Sequence, residues 1–380
     1  MYDTIIVGGG ASALFCASRL KSRNVLILEQ SSTICSKLRI SGGGKCNITN
    51  LHLSTANYRG DQKFITPALT QYDNDHLLNF LKSHSISTTK KEVLVKGQLF
   101  LDSSTTLINL LKKLTNDINI KTGVKVESAK KEGHFLISTD KGVFESKNLV
   151  IASGGISYAS LGVSSIGYEI AKSFGLAVVP TKPALTALTV QKDQFWFKEL
   201  SGVSMDVGVK IGDKVIRGDI LFTHRGFSGP VGLNSSLYWD KGAIEMDFMP
   251  NIKLEESLKK DKNKQITTLL PLPKRFTKLF LQNIGVEDKK ISQLSKDELE
   301  KLSSINNYRF SPAGDTGFMK AEATKGGVDT TYISPLSMES LKSERLYFIG
   351  EVLDVTGEVG GYNLQWAYSS AALASDSINI

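Results

Sequence analysis

Short apolar runs and glycine-rich turns mark both ends of this sequence. Residues 4–7 and 25–28 are apolar runs typical of parallel strands buried on both faces, and a small-residue segment between them predicts a helix. Together they predict a strand-helix-strand unit. Residues 148–152 and 346–350 predict further buried strands, and residues 364–378 predict a closing helix.

The pattern changes in the middle of the chain. Beyond Pro180 and Pro183, apolar and polar residues alternate over residues 203–211, which indicates a half-buried antiparallel strand. From 250 to 304 the apolar residues recur at helical spacing, and the segment 295–298 has the composition of a capping box. The sequence therefore predicts an α/β domain that is interrupted by a β-rich segment, which itself carries a helical insert.

Composition narrows the class of protein. A chain of 380 residues with 41% hydrophobic and 22% charged residues has the make-up of two or three globular domains. Its three cysteines are odd in number and form no CxxC, so we expect reduced thiols. With no secretory leader and no apolar stretch of membrane-spanning length, we expect a cytoplasmic protein without a membrane partner.

The net charge of +8 is unevenly distributed. Residues 250–304 contain 12 lysine or arginine residues and 8 aspartate or glutamate residues, so this insert carries half of the excess. Solvated lysine-rich faces explain such a balance more often than a binding surface does, and the basic stretches contain few aromatic residues. Nucleic acid is therefore an unlikely partner on this reasoning.

The first turn has the spacing of a dinucleotide-binding site. Gly8, Gly10 and Ala13 form a GxGxxA fingerprint between a predicted strand and a predicted helix, the context in which this spacing binds a pyrophosphate at a helix N-terminus. Glu29, at the end of the second strand, is placed to accept a hydrogen bond from a ribose hydroxyl. Its charge would repel a 2′-phosphate.

Three more glycine-rich segments favour FAD over NAD. They lie at 41–47, at 152–155, and at 350–351 together with 360–363. The last two follow predicted strands, and open α/β sheets bind ligands at the carboxyl ends of their strands. A long cofactor that touches the first and the last strand fits this layout, and that cofactor is FAD. The closing helix would point its N-terminus at the flavin.

Four phrases resemble the signatures of one bacterial family of FAD-dependent oxidoreductases, which includes aminoacetone oxidase and the bile-acid-inducible flavoprotein. They are KLRISGGGKCNITN (37–50), FTHRGFSGP (222–230), ATKGGV (323–328) and YFIGEVLDVTGEVGGYNLQWA (347–367). The resemblance covers essentially the whole chain. It implies a Rossmann-like two-dinucleotide-binding FAD domain (1–183 and 330–380), a β-barrel-like substrate domain (184–250 and 305–329) and a helical insert (251–304).

The resemblance also implies which residues hold FAD. Residues of the first turn would bind the pyrophosphate, Glu29 the ribose, and the backbone of Val126 the adenine. The segment 350–351 would touch the ribityl chain, and 360–364 would lie along the isoalloxazine. The full set of expected cofactor-binding residues is Gly8, Gly10, Ala11, Ser12, Glu29, Lys37, Ser41, Gly42, Asn47, Val126, Gly155, Gly350, Glu351, Gly360, Gly361, Tyr362, Asn363 and Leu364.

Candidate catalytic groups are fewer. His224 could be a general acid or base, or a histidine bonded to backbone in a tight turn. Tyr362 could face the substrate or pack on the flavin, and packing is slightly favoured. Cys46 is better explained as a small loop residue than as a nucleophile. No residues have metal-ligand spacing, so we expect no metal.

Several functions stay open on these residues. A disulfide reductase of this fold would carry a second GxGxxG and a redox CxxC, and the sequence has neither. The first hypothesis is oxidation of a small amine with oxygen as the acceptor. The second is reduction of an activated C=C bond, with NAD(P)H bound transiently as the donor. A flavin-dependent RNA-interacting protein and a non-catalytic flavin sensor are the hypotheses from other classes.

Overall fold

The computed structural model describes residues 1–91 and 95–380, which divide into two compact units. The first consists of 1–183 and 318–380, and the second of 184–317. The strands are β1 (Tyr2–Val7), β2 (Val25–Glu29), β3 (Asn47–Asn50), β4 (Tyr58–Arg59), β5 (Thr89–Lys91), β6 (Gln98–Phe100), β7 (Asn119–Thr122), β8 (Val126–Glu132), β9 (His134–Thr139), β10 (Gly142–Ile151), β11 (Val178–Ala184), β12 (Leu188–Val190), β13 (Ser204–Ile211), β14 (Lys214–Thr223), β15 (Gly226–Ser228), β16 (Ile244–Asp247), β17 (Tyr308–Phe310), β18 (Pro312–Asp315), β19 (Ala323–Val328), β20 (Leu346–Phe348) and β21 (Thr356–Gly357). The helices are α1 (Ala11–Arg19), α2 (Ser36–Ile40), α3 (Gln62–Gln71), α4 (Asn74–Ser83), α5 (Ser104–Leu114), α6 (Ile166–Ser173), α7 (Trp196–Glu199), α8 (Gly229–Tyr238), α9 (Leu254–Leu258), α10 (Ile266–Leu269), α11 (Lys274–Ile284), α12 (Lys296–Ser303) and α13 (Tyr362–Ile378).

A parallel sheet forms the centre of the first unit. Its strands lie in the order β7-β2-β1-β10, and β20 pairs with the second half of β10 in the same direction. The antiparallel strands β9 and β8 extend the sheet beyond the first half of β10. This is the predicted Rossmann-like sheet, and it brings the carboxyl ends of β1, β2, β10 and β20 to one edge.

The predicted apolar runs fold into strands because both faces of this sheet are covered. Residues 5–7 of β1 and 149–151 of β10 are buried. Helix α1 packs against α13, with the rings of Phe15 and Tyr368 in an edge contact at 5.3 Å between centroids. The opening and closing helices of the chain therefore share one core.

The second unit is built on an antiparallel sheet of seven strands, in the order β17-β16-β13-β14-β15-β12-β18. The alternation over residues 203–211 forms β13, which pairs with β14 and β16. Aromatic side chains from the sheet and from α7 and α11 form one core, in which the rings of Phe248 and Phe276 lie 4.6 Å apart.

The predicted fold class is therefore confirmed: a parallel Rossmann-like sheet is accompanied by antiparallel sheets. The three-part division into FAD domain, barrel-like domain and insert stays a prediction. Within residues 1–91 and 95–380, none of the helices has the length and apolar character needed to cross a membrane.

Candidate active site

The turn between β1 and α1 packs closely against the backbone at the end of β10. Gly8 has a φ of +106°, and a Cβ there would lie 2.4 Å from the carbonyl oxygen of Ala152 at the end of β10. Any side chain at Gly8 would push the two strand ends apart. Gly10, the N-cap of α1, instead faces open space, since a Cβ there would meet nothing within 4 Å. Ala11 and Ser12 form the first turn of this helix, which has no side-chain cap.

Glu29 binds backbone N–H groups at the edge of the sheet, beside this turn. Its two carboxylate oxygens accept hydrogen bonds from the backbone N–H groups of Gly9 and Ser31, each at 2.7 Å. The Glu29 carbonyl accepts the N–H of Val124 at 3.0 Å, and buried Val126 begins β8 two residues later. The predicted ribose and adenine residues are therefore close in space, as a single adenosine site requires.

The segment 41–47 forms a tight loop of glycines. Gly42 has a φ of +56°, and a Cβ there would lie 2.8 Å from the N atom of Asn47. A Cβ at Gly43 or Gly44 would meet nothing within 4 Å, so the loop lies beside open space. In the part of the chain that the structure describes, Asn47 Oδ1 is a buried acceptor without a hydrogen-bond partner. Ser41 donates its hydroxyl to the Leu38 carbonyl at 2.7 Å.

Cys46 belongs to this loop, and its side chain points into the core. The residue is fully buried, and burial raises the pKa of its thiol to about 12. A neutral, buried thiol agrees with the prediction of a small loop residue.

Lys37 and Glu351 join two predicted cofactor segments that are far apart in sequence. The Lys37 ammonium lies 2.7 Å from Glu351 Oε2 and donates to Ser157 Oγ, also at 2.7 Å. Glu351 Oε1 accepts the backbone N–H of Thr324 at 2.9 Å. A Cβ on Gly155 would lie 2.6 Å from Thr324 Oγ1, so Gly155 allows this close packing.

Thr324 links three segments of the first unit. Its buried hydroxyl oxygen accepts the backbone N–H groups of Ile156 and Ser157, each at 3.0 Å. Its carbonyl accepts the hydroxyl of Thr356 at 2.9 Å. The loop after β10 is thus held to β19. The sequence places Thr324 in a family phrase, and this linking role could not be read from it.

The closing helix begins against β3, the strand that follows the glycine-rich loop. Gly361 has a φ of +97°, and a Cβ there would lie 2.6 Å from the carbonyl oxygen of Thr49. Gly360 accepts the side-chain amide of Asn50 at 3.2 Å. Gly350 packs on the first turn of α1, because a Cβ there would lie 2.8 Å from Ser12 Oγ. The structure therefore brings the four predicted glycine-rich segments together at one edge of the sheet.

Asn363 and Leu364 of the closing segment contact the backbone and the core of the first unit. The Asn363 side chain accepts the N–H of Gly357 at 2.8 Å and donates to its carbonyl at 2.9 Å. Leu364 is partly buried against the core of the first unit. Their predicted place along the isoalloxazine stays a prediction.

The two candidate catalytic residues belong to different units. Tyr362 is 4% exposed, its ring packs edge-on against Tyr58, and burial together with the charge of Glu358 raises the pKa of its phenol to about 12. His224 lies in the second unit, exposed in the turn between β14 and β15. The catalytic roles of both residues stay predictions.

These residues fit an FAD molecule. Three observations carry the fit: an uncapped helix N-terminus at Gly10, glycines that face open space at 10, 43, 44 and 154, and the unpartnered acceptor on Asn47. Backbone N–H groups and small residues are what a pyrophosphate needs at close approach. Among the described residues, no group of three or more His, Cys, Asp or Glu could hold a metal ion.

Comparison with known proteins agrees with this geometry. The family model described as HI0933-like protein Rossmann domain matches residues 2–377. The chain belongs to the HI0933-like family. It is therefore an FAD-dependent oxidoreductase, and the resemblance found in its sequence is confirmed.

Three relatives cover nearly the whole chain. Two carry the name ribosomal RNA dihydrouridine synthase: the protein from Haemophilus influenzae is 36% identical over 99% of this chain and 98% of its own length, and that from Escherichia coli is also 36% identical, with the same coverage. A Clostridium scindens protein named 3-dehydro-bile acid delta(4,6)-reductase is 31% identical over 97% of both chains.

Among solved structures, the open conformation of a flavocytochrome c3 fumarate reductase resembles this HI0933-like protein with a TM-score of 0.49 and 15% identity. The alignment covers 100% of this chain and 78% of that one.

Proposed function

We propose that this chain reduces an activated C=C bond, and that its substrate is a uridine of ribosomal RNA. The observation that carries the proposal is the 36% identity, over 99% of this chain, to two proteins named as ribosomal RNA dihydrouridine synthases. The relative named as a bile acid delta(4,6)-reductase is more distant, yet its name also describes the saturation of a conjugated double bond.

The two names describe one kind of reaction. In uridine, the C5–C6 double bond is conjugated with the C4 carbonyl, so a hydride added at C6 and a proton added at C5 saturate it. Bound FAD would supply the hydride, which it first receives from a donor. We propose NAD(P)H as that donor, so that NAD(P)H, one proton and uridine give NAD(P)⁺ and dihydrouridine.

The residues of the first unit would hold the cofactor for this reaction. Gly10, Ala11 and Ser12 would bind the pyrophosphate at the start of α1, and Glu29 would hold the ribose. The Lys37–Glu351 ion pair would hold α2 and the segment after β20 together beside the cofactor. A phenol is protonated at neutral pH, and burial raises the pKa of Tyr362 further, to about 12, so Tyr362 is one proposed proton donor. His224 is the other.

Amine oxidation, the first hypothesis from sequence, would run the flavin in the opposite direction. The reductive direction takes precedence here because all three full-length relatives described above carry names that imply saturation of a double bond. The proposal also departs from the expectation that nucleic acid is an unlikely partner. That expectation rested on the frequency of solvated lysine-rich faces and on the few aromatic residues in the basic stretches, and not on the position of any side chain.

The test follows the flavin absorbance under anaerobic conditions. NADPH should bleach the flavin, and transcribed ribosomal RNA should then restore the oxidised spectrum, whereas free uridine should do so far more slowly. Small amines should leave the oxidised spectrum unchanged. Bleaching by an amine, followed by reoxidation with oxygen but not with RNA, would reject the proposal in favour of an amine oxidase.

A further inference from the structure

Two short elements of the second unit place an aromatic ring beside a group of cations. Three consecutive aromatic residues occur at 195–197: Trp196 and Phe197 point into the core and are 8% and 0% exposed, but Phe195 is 41% exposed. The ring of Phe195 is therefore accessible at the surface for contact with a ligand.

A lysine accompanies this ring. Lys198 Nζ lies 3.1 Å from the centroid of Phe195, so the cation and the ring are held together at the surface. Proteins that bind single-stranded nucleic acid combine exposed aromatic rings with cations in this way, because the ring stacks on a base while the cation contacts the phosphate.

Helix α11 adds further cations. The Arg275 guanidinium donates hydrogen bonds to the carbonyls of Glu199 and Ser201, which fixes the start of α11 beside α7. Lys274 and Lys278, one turn apart on the same helix, are exposed, and within the residues that the structure describes neither forms an ion pair. Lys289 and Lys301, by contrast, pair with Glu298 and Asp297.

Cations outnumber carboxylates on this surface. Residues 192–199 and 274–278 together hold five lysine or arginine residues and two acidic ones, Asp193 and Glu199. The sequence argument against RNA was that the basic insert has few aromatic residues. The structure adds an exposed aromatic residue from outside the insert, four residues before the Glu199 carbonyl that Arg275 of the insert binds.

We infer that Phe195, Lys198, Lys274 and Lys278, here called the α7–α11 surface, bind ribosomal RNA by stacking on an unpaired base and contacting its phosphates. The inference rests on the proposed function, since it names the surface that recognises the proposed substrate. Arg275 is a positioning residue, because its donors are engaged with carbonyls of the α7 segment.

The test measures the affinity of FAD-loaded full-length protein for transcribed ribosomal RNA as a function of salt. The triple variant K198Q/K274Q/K278Q should bind at least about tenfold more weakly, and its slope of log affinity against log salt should fall by about 2 to 3. The control K259Q/K260Q/K262Q removes the same charge from exposed lysines elsewhere in the second unit, and it should bind like wild type.

Phe195 has its own pair of variants. Phe195→Ala should weaken binding about tenfold with an unchanged salt slope, because stacking releases no counterions, and Phe195→Tyr should restore the affinity. The flavin spectrum and the thermal unfolding of each variant should match wild type, which separates lost binding from lost folding.

Each outcome has one meaning. If the triple variant binds like wild type, or if the control loses as much affinity, the α7–α11 surface is wrong while the proposed function stands. If wild type binds the RNA but forms no dihydrouridine in it, the proposed function is wrong, and the surface stands where the triple variant alone loses affinity. If wild type does not bind the RNA, both are overturned.

Discussion

At the scale of single residues, the Lys37 ammonium joins two segments of the candidate site. The Lys37 ammonium bonds to Glu351 and Ser157, and the Glu351 side chain is only 19% exposed. Without the ammonium, a largely buried carboxylate would lose its cationic partner at the wall of the predicted cofactor site.

Replacing Lys37 with Met should therefore weaken FAD binding about tenfold, because a hydrogen bond to a charged group typically contributes 1.5–3 kcal/mol. Fluorescence titration of the apoprotein with FAD measures this directly. The matched control is Lys130→Met, which breaks the pair with Glu132, where both side chains are 62% exposed. Equal affinities for wild type and Lys37→Met would show that the pair plays no part in holding the cofactor.

A second residue-scale prediction concerns Gly361. An alanine there would adopt a φ of +97° and bring its Cβ to 2.6 Å from the Thr49 carbonyl, so we expect a loss of more than about 2 kcal/mol in the free energy of unfolding. Gly123→Ala, with a φ of +67° and nothing within 4 Å, should cost only about 1 kcal/mol. Urea unfolding compares the two. Similar losses would contradict the close packing of the start of α13 on β3.

The third residue-scale prediction concerns the reactivity of the three cysteine thiols. Cys16, Cys35 and Cys46 are buried, and burial raises the pKa of each to about 12. Since the folded pKa lies far above pH 8, only about one thiol in ten thousand would be a thiolate there. Iodoacetamide should leave the native protein unmodified, as judged by intact mass, and should label all three thiols in urea. Rapid native labelling of Cys46 would mean that the loop opens and that its thiol is reactive.

At the scale of elements, the strands and helices follow from local pattern more closely than the contacts between them do. The predicted runs at 4–7 and 25–28 lie within the strands Tyr2–Val7 and Val25–Glu29, and the closing helix begins two residues before the predicted 364. An apolar run or a glycine turn is a property of neighbouring residues. The Thr324 hydroxyl, by contrast, bonds to residues that lie 167 and 168 positions away, and no local pattern indicates that contact.

That contact gives the element-scale prediction. Thr324→Val keeps the size of the side chain but leaves the N–H groups of Ile156 and Ser157 without their acceptor, so the free energy of unfolding should fall by about 2 kcal/mol or more. FAD binding should weaken with it, since the loop after β10 contributes Gly155. Thr324→Ser retains the acceptor and should recover most of the loss. If the valine variant is as stable as the serine variant, Thr324 does not hold this loop.

At the scale of the whole molecule, the two units are suited to different tasks. The first places four glycine-rich segments at one edge of a parallel sheet, where we propose that FAD binds. The second carries the helical insert, whose net charge of +4 is half that of the chain, and the proposed α7–α11 surface for RNA.

The most direct test of this account is nucleoside analysis of transcribed ribosomal RNA after incubation with the FAD-loaded protein and NADPH under anaerobic conditions. The account predicts that digestion and mass spectrometry will reveal dihydrouridine, with one NADPH consumed for each one formed and none formed when the protein is omitted. Ribosomal RNA that stays free of dihydrouridine, together with amine-dependent formation of hydrogen peroxide in air, would contradict it.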